Sequence, residues 1–183
     1  SSMRAQVLRR PVPDKVVVLT FDDAIWSQAV NVAPLLKQYG FGATCLVCEF
    51  PPDFQDKSKY MSWDQIRNLH EMGFEIGNHT RTHTHVNSMT RDQFIQELDY
   101  IENKCREYGI PKPMSFAYPG YDTDSSAISV LAEKKYLFAR AGGSRAYDPE
   151  TDHPSLIPSF STSGTDSQRV FVAIRQARDG KIV

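Results

Sequence analysis

Two short stretches carry the side chains best suited to chemistry. Phe21-Asp22-Asp23 places adjacent carboxylates directly after an apolar run, and His79-Thr80-Arg81-Thr82-His83 places two imidazoles four residues apart. Unpaired charge at the end of a buried segment is costly, so a cation or hydrogen-bond donors must face the acidic pair. One aspartate could cap the helix that follows by accepting from its exposed amides, but capping uses one carboxylate and leaves the other unexplained. Imidazoles four apart, on a helical turn or a tight loop, can face one metal ion. A solvated His-rich loop shows the same spacing, and it is the acidic strand end that favours a metal. Two His and one Asp leave a position open for water, as in a catalytic zinc site or the facial triad of divalent iron, cobalt or nickel. One divalent ion is therefore expected, zinc first, with cobalt, nickel and iron as alternatives. His85, two residues past His83, is expected to point to solvent or to support the site from outside it.

That donor set implies metal-assisted hydrolysis of an amide or ester. The metal would polarise the acyl oxygen and acidify water. The remaining carboxylate, Asp22, can take the proton. The resulting tetrahedral oxyanion calls for a nearby backbone N–H.

The elements that must hold these residues alternate in type. Val16–Phe21 is a continuous, mostly β-branched run, the pattern of a fully buried parallel strand. Ala29, Val32, Ala33 and Leu36 recur at helical spacing, with Gly40 as the stop. Ala43–Val47 predicts a second strand, and Pro51–Tyr60 a polar loop. Ser62 with Gln65, and Thr90 with Gln93, read as capping boxes opening two more helices that Gly73 and Gly109 end. Further strands are expected at Phe74–Gly77, Met114–Ala117, Tyr136–Ala141 and Leu156–Ile157, with helices around Ile128–Ala132 and Val170–Arg178. Such β-α alternation gives a parallel sheet covered by helices. The chemically unusual residues follow the first, third and fourth strands, at the rim where strand C-termini and their loops converge.

Composition bounds the rest. The 183 residues are one domain's worth, 40% apolar and 23% charged, with formal net charge -1. No basic excess suggests a nucleic-acid partner. No apolar run approaches the ~20 residues that span a bilayer. Three cysteines argue against a simple disulfide framework. Cys45 and Cys48 lie three apart on a strand, so they face opposite sides and read as packing residues. Free cysteines lean towards a reducing compartment.

Thr20-Phe21-Asp22-Asp23 resembles the first motif of the polysaccharide deacetylases (carbohydrate esterase family 4, the NodB-homology domain). His79-Thr80-Arg81-Thr82-His83 matches their second motif, and Phe116-Ala117-Tyr118-Pro119-Gly120 is similar to the third. The resemblance runs from about Val16 to Ala141. It implies an α/β fold, a distorted (β/α) barrel of fewer than eight parallel strands with helices outside, forming a single domain over residues 1–183 that is cut short at the C-terminus. It implies removal of acetyl groups from an N- or O-acetylated carbohydrate. By the same carry-over Asp22 is the base and Asp23, His79 and His83 hold the metal. Tyr118, Pro119 and Gly120 would line the substrate groove, with the Gly120 N–H facing the oxyanion, and Thr80 would fix its loop by hydrogen bonding. Envelope or secretion is the family's usual setting, which leaves the compartment open.

Departures are equally specific. Ala24 replaces the usual Gly after the Asp pair, and Ala117 replaces an Arg that orients the base. Arg140, near the end of the fifth strand, is the candidate to act in its place. The family's last motif supplies a general-acid His that is not found; His153 is the substitute on offer. Trp26, Tyr118 and Tyr121 could stack on sugar rings. Three other readings are open: an inactive metal- or carbohydrate-binding module, an amidase on a non-carbohydrate amide, and a glycosidase using the Asp pair. The last needs carboxyls ~5 Å or more apart flanking one bond, and idles both histidines.

Overall fold

The computed structural model describes residues 12–49, 56–162 and 167–183, so part of the expected 51–60 loop lies outside the described residues. Five strands form one parallel sheet in sequence order: β1 (Thr20–Asp22), β2 (Thr44–Val47), β3 (Glu75–Asn78), β4 (Ser115–Ala117) and β5 (Phe138–Arg140). Between them run α1 (Ala33–Gln38), α2 (Trp63–Glu71), α3 (Arg91–Glu107) and α4 (Ser125–Glu133), with α5 (Ser167–Ile174) after β5. The expected sixth strand is present only as a parallel bridge between Ile157 and Arg140. This is the parallel sheet that the alternation implied, curled into the distorted, incomplete (β/α) barrel that the family resemblance implied.

Both predicted capping boxes form. Ser62 Oγ accepts from the Gln65 amide while Gln65 accepts from the Ser62 amide, and Thr90 and Gln93 repeat the arrangement at α3. Each satisfies two amides that the first turn leaves orphaned. Asp124 caps α4 by accepting from Ser126 and Ala127. The first helix differs from expectation: it opens with a π-helical turn, Gln28–Val32, before becoming α-helical.

Val16–Phe21 also needs correcting. β1 begins only at Thr20, and Val17 and Val18 are exposed. β1 is the sheet's first strand, and among the described residues Val16 and Val18 find their backbone partner in Val183. The fully buried strand is β2, covered on both faces.

Two apolar clusters hold helices against the sheet. Cys45, Val47, Ile66, Leu69, Ile76, Ile101 and Cys105 join β2 and β3 to α2 and α3. Phe94, Leu98, Phe116, Val130, Leu131 and Ala139 join β4 and β5 to α3 and α4. The three cysteines are free and buried, and burial pushes Cys45 up to about 12. Among the described residues no helix is long and apolar enough to cross a membrane.

Register aligns the functional rim. Asp22 pairs with Leu46, Val47 with Asn78, and Ala117 with Arg140. Asp22, Val47, Asn78, Ala117 and Arg140 thus end their strands on the same side. The next residues along the chain supply most of the site.

Candidate metal centre

Asp23 leaves the end of β1 and His79 the end of β3, while His83 sits in the loop beyond. One ligand atom from each lies within 4.8 Å of the other two. His79 Nε2 is 3.5 Å and His83 Nε2 3.3 Å from Asp23 Oδ1, and the rings meet edge to face at 4.8 Å between centroids. His79 Nδ1 lies 2.8 Å from the Ala117 carbonyl. A carbonyl only accepts, so Nδ1 carries the proton and Nε2 keeps its lone pair towards Asp23. Burial, the leading cause, holds His79 below the ordinary histidine range and so neutral, as a ligand must be. Two imidazole nitrogens and a carboxylate oxygen clustered in this way fit one divalent ion.

The backbone around the centre is strained. Asp23, Ala24, Thr80, His83 and Tyr121 all have positive φ, between 52° and 72°. Left-handed geometry costs an L-residue about 1–2 kcal/mol, and such residues concentrate where function dictates side-chain direction. The departure at Ala24 gains a meaning here: its φ of 52° is the conformation a glycine would adopt freely.

Buried polar groups hold the second-motif loop. Asn78 accepts from the Thr80 amide at 2.9 Å and donates to the Leu98 carbonyl and the Tyr136 hydroxyl. Tyr136 in turn donates to Glu102 at 3.0 Å. The expectation for Thr80 is met by its backbone only: its hydroxyl is buried and has no partner among the described residues. Glu97 receives both the amide and the hydroxyl of Thr82. The Gln28 side chain, turned inward by the π-helical turn, donates to the Asp22 carbonyl at 2.6 Å.

Asp22 faces Arg140. Nη2 reaches both carboxylate oxygens, one at 2.6 Å, and Nη1 reaches Ser159 Oγ at 3.3 Å. Neighbouring strands lie about 4.8 Å apart, so β1 and β5 would be about 19 Å apart in a flat sheet. Direct contact between their side chains requires the sheet to curl. Arg140 is also the register partner of Ala117, the position where the resemblance places an arginine. The guanidinium therefore comes from one strand over.

The third-motif residues divide. Tyr118 is corrected: it is 1% exposed, packs edge-on against Phe116, and donates to the Ser155 carbonyl. Its ring follows the strand into the core and is not available to a sugar. Pro119 is buried too, whereas Gly120 is exposed. The Gly120 N–H has no acceptor among the described residues, because the turn's hydrogen bond starts at Tyr121. Of the three candidate stacking aromatics, Tyr121 and Trp26 are exposed, and Tyr121 packs against Gly142 with Arg140 over its ring. His153 lies in the turn before the bridge at Ile157, where its Nδ1 accepts from the Ser155 amide, and it is not among the clustered donors.

Two site neighbours were not read from sequence. Cys48 Sγ lies 3.9 Å from Asp23 Oδ1, and burial, then the Asp23 charge, push its thiol up and keep it protonated. Asp122 takes His85 Nδ1 at 2.7 Å and Asn87 at 3.2 Å. Neither residue type nor spacing marks these contacts in advance.

Several solved structures share this fold. A deacetylase PplD from Streptococcus pyogenes, in complex with acetate, superposes with a TM-score of 0.75 at 16% identity, over 87% of this chain and 70% of that one. A family 4 carbohydrate esterase from Streptomyces lividans, also with acetate, gives 0.66 at 20% identity over 91% and 76%. The chitin deacetylase of the fungal pathogen Colletotrichum lindemuthianum gives 0.63 at 19% identity over 93% and 85%. Likeness at such identity establishes the fold. Residues 9–139 match the polysaccharide deacetylase sequence pattern, and the chain belongs to that family. Among curated protein sequences none matches.

Proposed function

We propose that this protein is a metal-dependent deacetylase that removes acetyl groups from an N-acetylated carbohydrate. The observation that carries the proposal is the meeting of three donors, Asp23, His79 and His83, beside a second carboxylate, Asp22, engaged by Arg140. The three donors would hold one divalent ion, zinc by the nature of the set, which when bound supplies Lewis acidity towards water and the acyl oxygen. Asp22 acts as general base on the attacking water. Arg140 orients its carboxylate and keeps it from the ligand set. The Gly120 N–H donates to the oxygen that gains charge. Asp22 then holds the proton that the departing nitrogen needs. Trp26 and Tyr121 offer exposed ring faces to the sugar.

Acetate release from N-acetylglucosamine oligomers tests the proposal. Zinc-loaded protein should release acetate, chelation should abolish release, and added zinc should restore it. Asp22→Asn should bind metal with the wild-type stoichiometry and turn over at least a thousandfold more slowly, a roughly 4 kcal/mol loss of transition-state stabilisation. Turnover that survives chelation would refute metal dependence. Metal and sugar binding without release by wild-type protein would make it a binding module instead.

A further inference from the structure

His85 is the side chain that the reaction leaves unused and the structure nevertheless holds in place. Its Nδ1 is 2.7 Å from Asp122 Oδ2, and the same oxygen receives Asn87 Nδ2 at 3.2 Å. Two residues of the second-motif loop are thereby tied to the residue that ends the third-motif turn. The imidazole also closes on Gly120: a Cβ built there would sit 2.3 Å from His85 Cε1 and 2.6 Å from Nε2. Glycine at 120 therefore answers two demands, a φ of 64° and the approach of an imidazole. A carboxylate accepts, so Nδ1 donates its proton to Asp122, and in the neutral tautomer Nε2 is the acceptor nitrogen. Nε2 has no partner among the described residues, and the side chain is 48% exposed at the edge of the turn whose amide faces the reacting acyl group.

We propose that His85 Nε2 is a carbohydrate subsite: a fixed acceptor for a hydroxyl of the sugar whose acetyl group enters the site. The inference rests on the proposed deacetylase reading for the nature of its ligand, and on the Asp122–His85–Gly120 geometry for its place. Asp122 and Asn87 hold the ring before the sugar arrives, which reduces the ordering cost of binding. The acceptor recognises sugar hydroxyls and is indifferent to the acetyl group itself.

Two measurements on zinc-loaded protein separate these roles. Calorimetric titration with the tetramer of N-acetylglucosamine, carried out with Asp22→Asn as the background for wild type and variants at position 85 alike, reads the subsite with turnover suppressed. Histidine 85 replaced by alanine (H85A) should weaken Kd about fivefold, the worth of one net hydrogen bond. H85F, which refills the space over Gly120 without an acceptor, should weaken it equally. H85Q, whose amide oxygen can reach the position of Nε2, should restore most of it. Hydrolysis of 4-nitrophenyl acetate, which has no sugar, should stay within twofold of wild type in all three. An unchanged tetramer Kd in H85A overturns the subsite. So does a parallel loss on the aryl ester, which would make His85 a prop for the turn, and so does failure of wild-type protein to bind the tetramer. Wild-type protein that binds the tetramer and releases no acetate counts against the deacetylase reading alone, and a weaker Kd in H85A then still upholds the subsite.

Discussion

Replacing Arg140 by alanine isolates the contribution of one guanidinium to Asp22, the carboxylate proposed as general base. Nη2 contacts both oxygens of Asp22, the guanidinium side chain is 11% exposed, and the carboxylate is 30% exposed. The pair is thus neither fully buried nor freely solvated. A hydrogen bond with a charged partner contributes about 1.5–3 kcal/mol in such settings, less where water can replace it. At about 1.4 kcal/mol per factor of ten, R140A should lose roughly ten- to a hundredfold in kcat/KM. The loss should fall on kcat, because Arg140 touches Asp22 and is not assigned to the sugar. R140K should be intermediate: it keeps the charge but loses the second arm to Ser159 and the planar contact over Tyr121. Steady-state kinetics on an N-acetylglucosamine oligomer, with metal content checked in each variant, reads all three proteins. An R140A enzyme within twofold of wild type in kcat would refute the claim that this cation positions the base. A loss confined to KM would move Arg140 into the substrate groove.

Three further outcomes follow from contacts elsewhere. Chelation should lower the melting temperature: zinc at a hundred times its Kd stabilises by about 2.7 kcal/mol, some 5–10 °C for a chain of this size, and His79→Ala protein should show no response. Tyr136→Phe removes the hydroxyl joining Asn78 to Glu102 and should cost about 1–2 kcal/mol, read as a drop of a few degrees in melting temperature; an unchanged value would show that the buried chain of hydrogen bonds contributes nothing net. Asp152, paired with Arg145 and accepting from the Asp148 amide, is held below the ordinary aspartate range, chiefly by the arginine hydrogen bond. The unfolded chain therefore binds more protons as pH falls from about 4 towards that lowered value, and stability drops across this window. Asp152→Asn should flatten that part of the pH–stability curve measured by denaturant melts, and an unaltered slope would refute the linkage.

The parts of the fold that local rules govern were legible in the sequence. Ser62/Gln65 and Thr90/Gln93 start their helices where residue type alone places them, because a capping box is closed within four residues. The β-α alternation gives the parallel sheet, and the two motif stretches lead to the Asp23–His79–His83 cluster, because strand ends in such folds share one rim. What failed to show was set by long-range packing. Val16–Leu19 looks like a core strand, yet its place at the start of the sheet leaves Val17 and Val18 exposed. Tyr118 and Tyr121 are both aromatic and flank the same turn. Only the strand's facing decides that the first is buried and the second exposed. The π-helical turn at Gln28 has no residue signature, and its inward glutamine was not foreseen. Arg140 could be named as a candidate, but its contact with Asp22 depends on the curl of the whole sheet.

That curl orders events at the ribosome. Asp22 and Arg140 are separated by 118 positions in the chain, whereas Asp23, His79 and His83 are all present once the second-motif loop has been made. A nascent chain that has emerged through β4 carries all three clustered donors and lacks the arginine that engages Asp22. On the proposed reading, an ion could be held before the base is oriented, and catalysis would wait for β5 to dock.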